Sequence, residues 1–257
     1  LGRIAQGDIE KAVLARATRH DTGTRVDPIT LFEGLREQQP DTCQFLVQPS
    51  PACAFLGASP EFLYRRVGRH VLSEALAGTR RRGSTPERDG ALAGELLASG
   101  KDRREQEIVR LHLLKHLEPH CGHVQAPAEP DLRSVPMMHH LLTTVEGMLH
   151  EHVHDAALLA ALHPTPAVCG TSTAAALELL RASESFDRGL YAGPVGCFGR
   201  NESEVAVAIR SALVRDEAVH VFAGAGIVAG SDPEAEWQET TLKMQAFEKL
   251  LSAPHAS

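Results

Sequence analysis

The chain has 257 residues, 43% of them hydrophobic and 23% charged, with a formal net charge of −7. That is the balance of a soluble globular protein, long enough to bury a sizeable core. The net negative charge argues against a nucleic-acid-binding surface, and the short, charge-interrupted apolar runs argue against a membrane span.

In chain order, the first segment with a clear pattern is IEKAVLARATR, Ile9–Arg19. It suits a helix by propensity and a buried strand by its Val-Leu core, and both readings stay open at this point. A helix is predicted over Pro28–Gln39. Cys43–Val47 and Ala54–Gly57 read as strands, and Phe62–Ala77 reads as a strand that VGR folds into a hairpin. Helical periodicity returns over Leu92–Leu117, Ala156–Leu162 and Ala174–Ala182. Glu204–Val214 and Ala218–Val228, rich in Val, Ile and Ala, flank RDE and read as an antiparallel hairpin. The last element is a helix over Asp232–Leu251, with Asp232 as N-cap and Pro233 at the first helical position. Strands in adjacent runs with helices between the groups predict an α+β fold with antiparallel sheet. No repeat or linker divides the chain, so residues 1–257 are read as one domain.

The five cysteines (43, 53, 121, 169 and 197) are widely spaced and include no CxxC pair. Neither a disulfide framework nor a zinc site is expected, and a reducing cytoplasm is the natural compartment. The amino terminus, LGRIAQGD, lacks the apolar core of a signal peptide. The fourteen histidines are scattered, and the adjacent His139 and His140 diverge on either a helix or a strand, so no histidine metal site is expected.

Asp232 as an N-cap places Glu236 and Glu239 on one face of the last helix, with Lys243 four residues after Glu239 on the same side. Two adjacent carboxylates repel, and a cation relieves them. A solvated face with Lys243 as the relief is one reading, and a divalent metal is the other. The glycine-rich AGAGIVAG just before this helix permits close backbone approach by a ligand.

Eight segments in order carry a family resemblance. They are EKAVLAR (Glu10–Arg16), FLGASPE (Phe55–Glu61), SEALAGTRRRG (Ser73–Gly83), GKDRRE (Gly100–Glu105), HPTPAVCGT (His163–Thr171), LYAGPVG (Leu190–Gly196), AIRSALV (Ala208–Val214) and AGAGIVAGSDPEAEWQET (Ala223–Thr240). Together they resemble the chorismate-utilising enzymes, which include isochorismate synthases, salicylate synthases, anthranilate synthase large subunits and aminodeoxychorismate synthases. The resemblance implies the α+β fold of the anthranilate synthase large subunit: antiparallel sheets flanked by helices, with the active site between the sheets. It also implies that Ile9–Arg19 is largely strand. Family members carry a further amino-terminal portion ahead of EKAVLAR, so this chain is expected to correspond to the catalytic region.

The substrate implied is chorismate. By the resemblance Lys11 matches the general base and Glu61 the general acid. Glu105, Glu236 and Glu239 match an Mg²⁺ site, and carboxylate oxygens are the hard ligands that Mg²⁺ prefers. Tyr191 and Arg210 match ligands for the substrate carboxylates, to which an arginine fork is suited. Backbone around Gly78-Thr79 and Gly224, Ala225 and Gly226 is expected to add N–H donors, with His140 and Lys243 as further pocket residues. A lysine base must shed its proton before it can act, and Ala12, Val13 and Leu14 around Lys11 fit a desolvated strand position.

Lys11 stands where the ammonia-using anthranilate synthases typically have glutamine, which points to water as the nucleophile. Ala77 stands where many aminodeoxychorismate synthases place a nucleophilic lysine. HPTPAVCGT resembles isochorismate synthases more than salicylate synthases. The expected activity is therefore isochorismate synthase, an isomerase. Salicylate synthase is the alternative, as is a non-catalytic chorismate-binding homologue or fragment. One departure is Leu111, where many relatives carry an acidic residue six positions after the Glu105 equivalent. The downstream route (menaquinone, catechol siderophore or salicylate) and the oligomeric state stay open.

Overall fold

The computed structural model describes residues 1–252. In chain order the elements are α1 (Gly2–Ala5), β1 (Lys11–Asp21), α2 (Pro28–Gln38), β2 (Cys43–Ser50), β3 (Cys53–Ser59), β4 (Phe62–Val67), β5 (His70–Arg81), α3 (Pro86–Ala98) and α4 (Gly100–Leu117). There follow β6 (Cys121–Gln125), β7 (Asp131–Val135), β8 (Met138–Leu149), α5 (Asp155–Leu162), β9 (Gly170–Thr171) and α6 (Thr173–Ser183). The chain continues with β10 (Pro194–Phe198), β11 (Glu202–Val207), β12 (Ser211–Arg215), β13 (Ala218–Ile227) and α7 (Pro233–Ser252).

The strands form two antiparallel sheets. The first has the order β2-β3-β12-β13-β1-β9, and the second β10-β11-β4-β5-β8-β6, with β7 also paired to β8. This is the α+β architecture expected. The ambiguous Ile9–Arg19 is strand from Lys11 onward, paired along β13 from Ala12↔Ile227 to Asp21↔Ala218. Alternation along β1 directs Lys11, Val13, Ala15 and Ala17 to one face and Ala12, Leu14, Arg16 and Thr18 to the other. The first face meets the main core, which mixes Phe55 and Phe222 of the first sheet with Leu63, Val71, Val145 and Val205 of the second. The opposite face of the first sheet is covered by α2 and α7, through Leu31, Leu35, Met244 and Phe247 packed on Leu56, Val214, Val219 and Val221. Burial of this size is the main favourable term in folding.

Helix starts follow local chemistry. The Asp27 side chain accepts from Ile29 and Thr30 N–H ahead of Pro28, and Asp232 Oδ1 accepts from Ala235 N–H at 2.9 Å ahead of Pro233.

Two sequence expectations need correction. Leu92–Leu117 is not one helix: the chain is extended at Ser99, which ends α3 and caps α4 by accepting from Asp102 N–H. Serine and glycine at 99 and 100 favour that break over a continuous helix. Nor is Glu204–Val214 one strand. Its first part is β11 in the second sheet and its last part is β12 in the first sheet. The chain changes sheets at Arg210, whose φ of 51° lies in the left-handed region. A second crossing, from β3 to β4, occurs at Pro60-Glu61. The two corners are hydrogen-bonded side by side, Ala58 N–H to Arg210 O and Val207 N–H to Glu61 O. Among the described residues no helix is long and apolar enough to cross a membrane, and all five cysteines are free.

Candidate active site

The paired corners put Glu61 and Arg210 into the gap between the sheets. Around them lies a cleft whose walls come from both sheets: Gly78, Thr79 and His140 on one side, and Val13, Gly224 and Gly226 on the other. Tyr191 and Val168 close one end, and Glu105, Glu239 and Lys243 line it from α4 and α7. Eleven of the residues singled out in the sequence therefore meet in one place, as lining. Three do not line it. Lys11 lies beneath the surface, fully buried, against Glu105 and Gly226. Glu236 lines the adjoining surface cavity with Lys101, Arg80 and Asp102. Ala225 alternates to the far face of β13, so only its backbone remains available to a ligand.

Glu61 is buried and its carboxyl is pushed up to about 8. Desolvation is the dominant cause; Lys11 opposes it, Glu74 adds to it, and Lys243 and Arg210 oppose it further. Glu61 is therefore a neutral acid at pH 7, able to give a proton. Arg133 fixes its neighbourhood, holding Glu74 through two bonds of 2.7 and 2.8 Å and reaching Pro60 O at 3.3 Å.

Burial, with Arg210 and Lys243 close by, holds His140 well below its ordinary value, so it is neutral. Its Nε2 faces Arg210 Nη2 at 3.4 Å and its Nδ1 faces Gly78 O at 3.2 Å. Those partners assign the proton to Nδ1. Adjacent His139 turns the other way, to Asp89 and Ser134. Burial lowers the Arg210 guanidinium to about 10, leaving it charged at neutral pH. Burial raises the Tyr191 phenol, which stays protonated as a donor.

The three predicted metal ligands are each engaged by a lysine. Glu105 Oε1 lies 3.0 Å from Lys11 Nζ, Glu236 Oε1 2.5 Å from Lys101 Nζ, and Glu239 Oε1 2.6 Å from Lys243 Nζ. Lys243 also donates to Gly224 O at 2.9 Å. Desolvation pushes Glu239 up, but Lys243, with Lys101 and Arg210, together outweigh it and keep the carboxyl below its ordinary value. Glu236 is raised, because burial outweighs Lys101. Among the described residues no three acidic, histidine or cysteine side chains converge closely enough to hold a metal. The donors are nonetheless of the right kind, hard oxygens on adjoining walls, and each would exchange a lysine partner for the ion.

Two residues were not singled out in the sequence. Lys101 sits four residues before Glu105 in the GKDRRE segment and neutralises Glu236. Arg16, at the end of EKAVLAR, joins β1 to α7: it donates to Thr240 and Thr241 Oγ1, both at 2.8 Å, and its guanidinium stacks on Trp237. Leu111 is exposed on α4 and lines no part of the cleft, so that departure from the family pattern does not touch the site.

A buried neutral acid, a buried lysine, two cations and a set of carboxylates around a cleft suit proton transfer on an anionic small molecule. The family model described as "Chorismate binding enzyme" matches residues 1–252. Isochorismate synthase 2, chloroplastic, of Arabidopsis thaliana is 43% identical over 244 residues, covering 95% of this chain and 43% of that protein. Isochorismate synthase DhbC of Bacillus subtilis is 38% identical over 263 residues, covering 99% of this chain and 66% of that protein. The structure of MenF, the menaquinone-specific isochorismate synthase of Escherichia coli, superposes with a TM-score of 0.90 at 33% identity, covering 98% of this chain and 58% of that one. This chain thus spans roughly half to two thirds of the length of these relatives. It belongs to the chorismate-binding enzyme family.

Proposed function

We propose that this chain carries the active site of an isochorismate synthase, which interconverts chorismate and isochorismate. The observation that carries this reading is a cleft lined by a buried carboxylic acid that is neutral at pH 7, with a buried lysine directly beneath its wall at Glu105 and Gly226. In the forward direction Lys11 takes a proton from water as the oxygen bonds to a ring carbon. The ring double bonds shift, and the departing hydroxyl takes the Glu61 proton and leaves as water. Atoms balance: one water enters and one leaves. Each proton transfer is general acid–base catalysis worth about 10²–10⁴-fold.

Arg210, Tyr191 and Lys243 are assigned to the substrate's carboxylates, with neutral His140 holding the Arg210 guanidinium in place. Glu105, Glu236 and Glu239 are assigned to Mg²⁺, whose chemistry would be to neutralise a substrate carboxylate. Water rather than ammonia is the nucleophile in this reading because position 11 is lysine, and position 77 on the cleft wall is alanine instead of the nucleophilic lysine of many aminodeoxychorismate synthases.

The test is product analysis with chorismate and Mg²⁺ near neutral pH. Approach to a mixture of chorismate and isochorismate, with background pyruvate, supports the assignment. Stoichiometric pyruvate with salicylate would make the chain a salicylate synthase. Anthranilate formed with ammonium would overturn the Lys11 argument, and no turnover by the folded protein would favour a non-catalytic homologue.

A further inference from the structure

Strand β1 carries Lys11 on its first residue, yet its outer edge is paired only briefly. β9 contributes two residues, opposite Lys11 and Ala12, and Cys169 O takes Val13 N–H at 2.8 Å. Among the described residues no strand continues the ladder beyond that point. The next two backbone groups on that edge are Val13 O and Ala15 N–H, and buried strand groups need partners.

Two side chains supply them. Arg188 Nη2 donates to Val13 O at 2.7 Å, and Glu184 Oε1 accepts from Ala15 N–H at 2.9 Å. The two side chains are themselves joined, Nε to Oε2 at 2.8 Å and Nη2 to Oε1 at 2.5 Å. The other Arg188 nitrogen, Nη1, donates to Val168 O at 2.7 Å, in the loop that lines the cleft. Arg188 also lies 5.7 Å from the ring of Tyr191, and Tyr191 N–H bonds Arg188 O. The Glu184 side chain is 5% exposed and that of Arg188 20%, at the edge of a surface cavity.

We infer that Glu184 and Arg188 form a positioning pair for the base: their side chains finish the β1 ladder where β9 runs out and tie it to the cleft wall at Val168. Neither touches the space a substrate would occupy. They act through β1, by setting where Lys11 stands relative to Glu105 and Glu61. This rests on the role proposed above for Lys11. A planar fork is needed here, because Val13 O, Val168 O and Glu184 are reached at once from one guanidinium, and a lysine ammonium cannot span them.

The experiment compares Arg188→Lys and Glu184→Gln with the wild type, measuring kcat, KM for chorismate, melting temperature and a crystal structure of each. The expected result for Arg188→Lys is a folded protein with kcat about 10²-fold lower, the scale of a misplaced catalytic group. KM should stay within a few-fold, because Arg210 and Lys243 stand on other elements. Glu184→Gln keeps an acceptor for Ala15 N–H and should lose less. A lowered melting temperature with unchanged kcat would reduce the pair to a structural tie. A rise in KM alone would assign it to the wall at Val168 and Tyr191 instead of the base. Should the wild type turn chorismate over by another route, the isochorismate reading falls, and the same comparison runs on the turnover observed. Should it turn nothing over, the structures decide: displacement of Lys11 from Glu105 supports the inference, and an unmoved Lys11 overturns it.

Discussion

Glu105 Oε1 occupies the space that a side chain at position 226 would need: a Cβ built on Gly226 falls 2.0 Å from it and 3.0 Å from Lys11 Cε. The requirement for glycine is therefore one of room, since Gly226 is not among the residues with a positive φ. Gly226→Ala must displace the Glu105 carboxylate, the flexible end of a side chain, and with it the Lys11 partner. The expected outcome is a folded protein with turnover down about 10²-fold and a higher half-saturating Mg²⁺ concentration. Wild-type kinetics in Gly226→Ala would show that Glu105 does not need its present place.

Glu61 should set both a pH limit and a stability cost. Its folded value of about 8 lies above the 4.5 of an ordinary glutamate. The folded state therefore holds the proton more tightly than the unfolded chain. Stability from this group is full below about pH 4.5 and is lost as pH rises toward 8, where the buried carboxylate must ionise. Glu61→Gln removes that cost. Its stability gain over wild type should be small at pH 5 and grow to roughly 3 kcal/mol by pH 7. Turnover should fall at least about 10²-fold in the variant, and wild-type turnover should decline above about pH 8 as the acid loses its proton. Denaturant titrations at pH 5 and pH 8 that give the same difference between variant and wild type would sink the argument.

What the sequence disclosed and what it hid follow from the kind of signal each residue emits. Asp232-Pro233 announced α7, and VGR announced the β4–β5 turn at Gly68, because both are local chemistry. The stretch Cys121–Leu149 forms β6, β7 and β8 without a strand pattern in its sequence. Its histidines, threonines and Glu146 break the apolar alternation, and His139 is buried between its strand neighbour Ser134 and Asp89 of α3. The sheet change at Arg210 was hidden for another reason. EVAVAIRSALV has strand propensity throughout, and nothing in its spacing signals a residue held at positive φ by the neighbouring corner. Glu236 and Glu239 could be paired from helical spacing, and Lys243 with them, but Lys101 belongs to a different helix. The roles proposed for Lys11 and Glu61 rest on family likeness; composition around them carries no such signal.

Arg16 should govern how α7 sits on β1. Its two bonds to Thr240 and Thr241 and its stacking on Trp237 flank the turns that carry Glu236 and Glu239. Arg16→Ala removes those two hydrogen bonds, a third to Thr18 Oγ1 and a cation–π contact, together about 1–3 kcal/mol. The Mg²⁺ requirement should rise as the helix loosens. Trp237 is the single tryptophan of the chain, so its fluorescence reports the change directly. An Arg16→Ala protein with unchanged tryptophan emission and unchanged metal requirement would remove Arg16 from the site's support.

The three Glu-to-Gln variants at 105, 236 and 239 should separate metal binding from ion pairing. Glutamine keeps the size and one carbonyl oxygen but loses the charge that Mg²⁺ and lysine both seek. All three variants should therefore raise the half-saturating Mg²⁺ concentration at least about tenfold, a loss near 1.4 kcal/mol. Their effects on the metal-free fold should differ, because the lysines left behind differ. The Lys101 side chain is 29% exposed and Lys243 18%, so water compensates part of the lost partner. The Lys11 side chain is wholly buried, so Glu105→Gln takes the carboxylate partner from an amine that water cannot reach. Without Mg²⁺ the expected order of destabilisation is therefore Glu105→Gln above Glu239→Gln above Glu236→Gln, read from melting temperatures in EDTA. The wild type should lose turnover in EDTA and regain it with added Mg²⁺. Full turnover in EDTA would return the three carboxylates to their lysines and leave the site with no metal role.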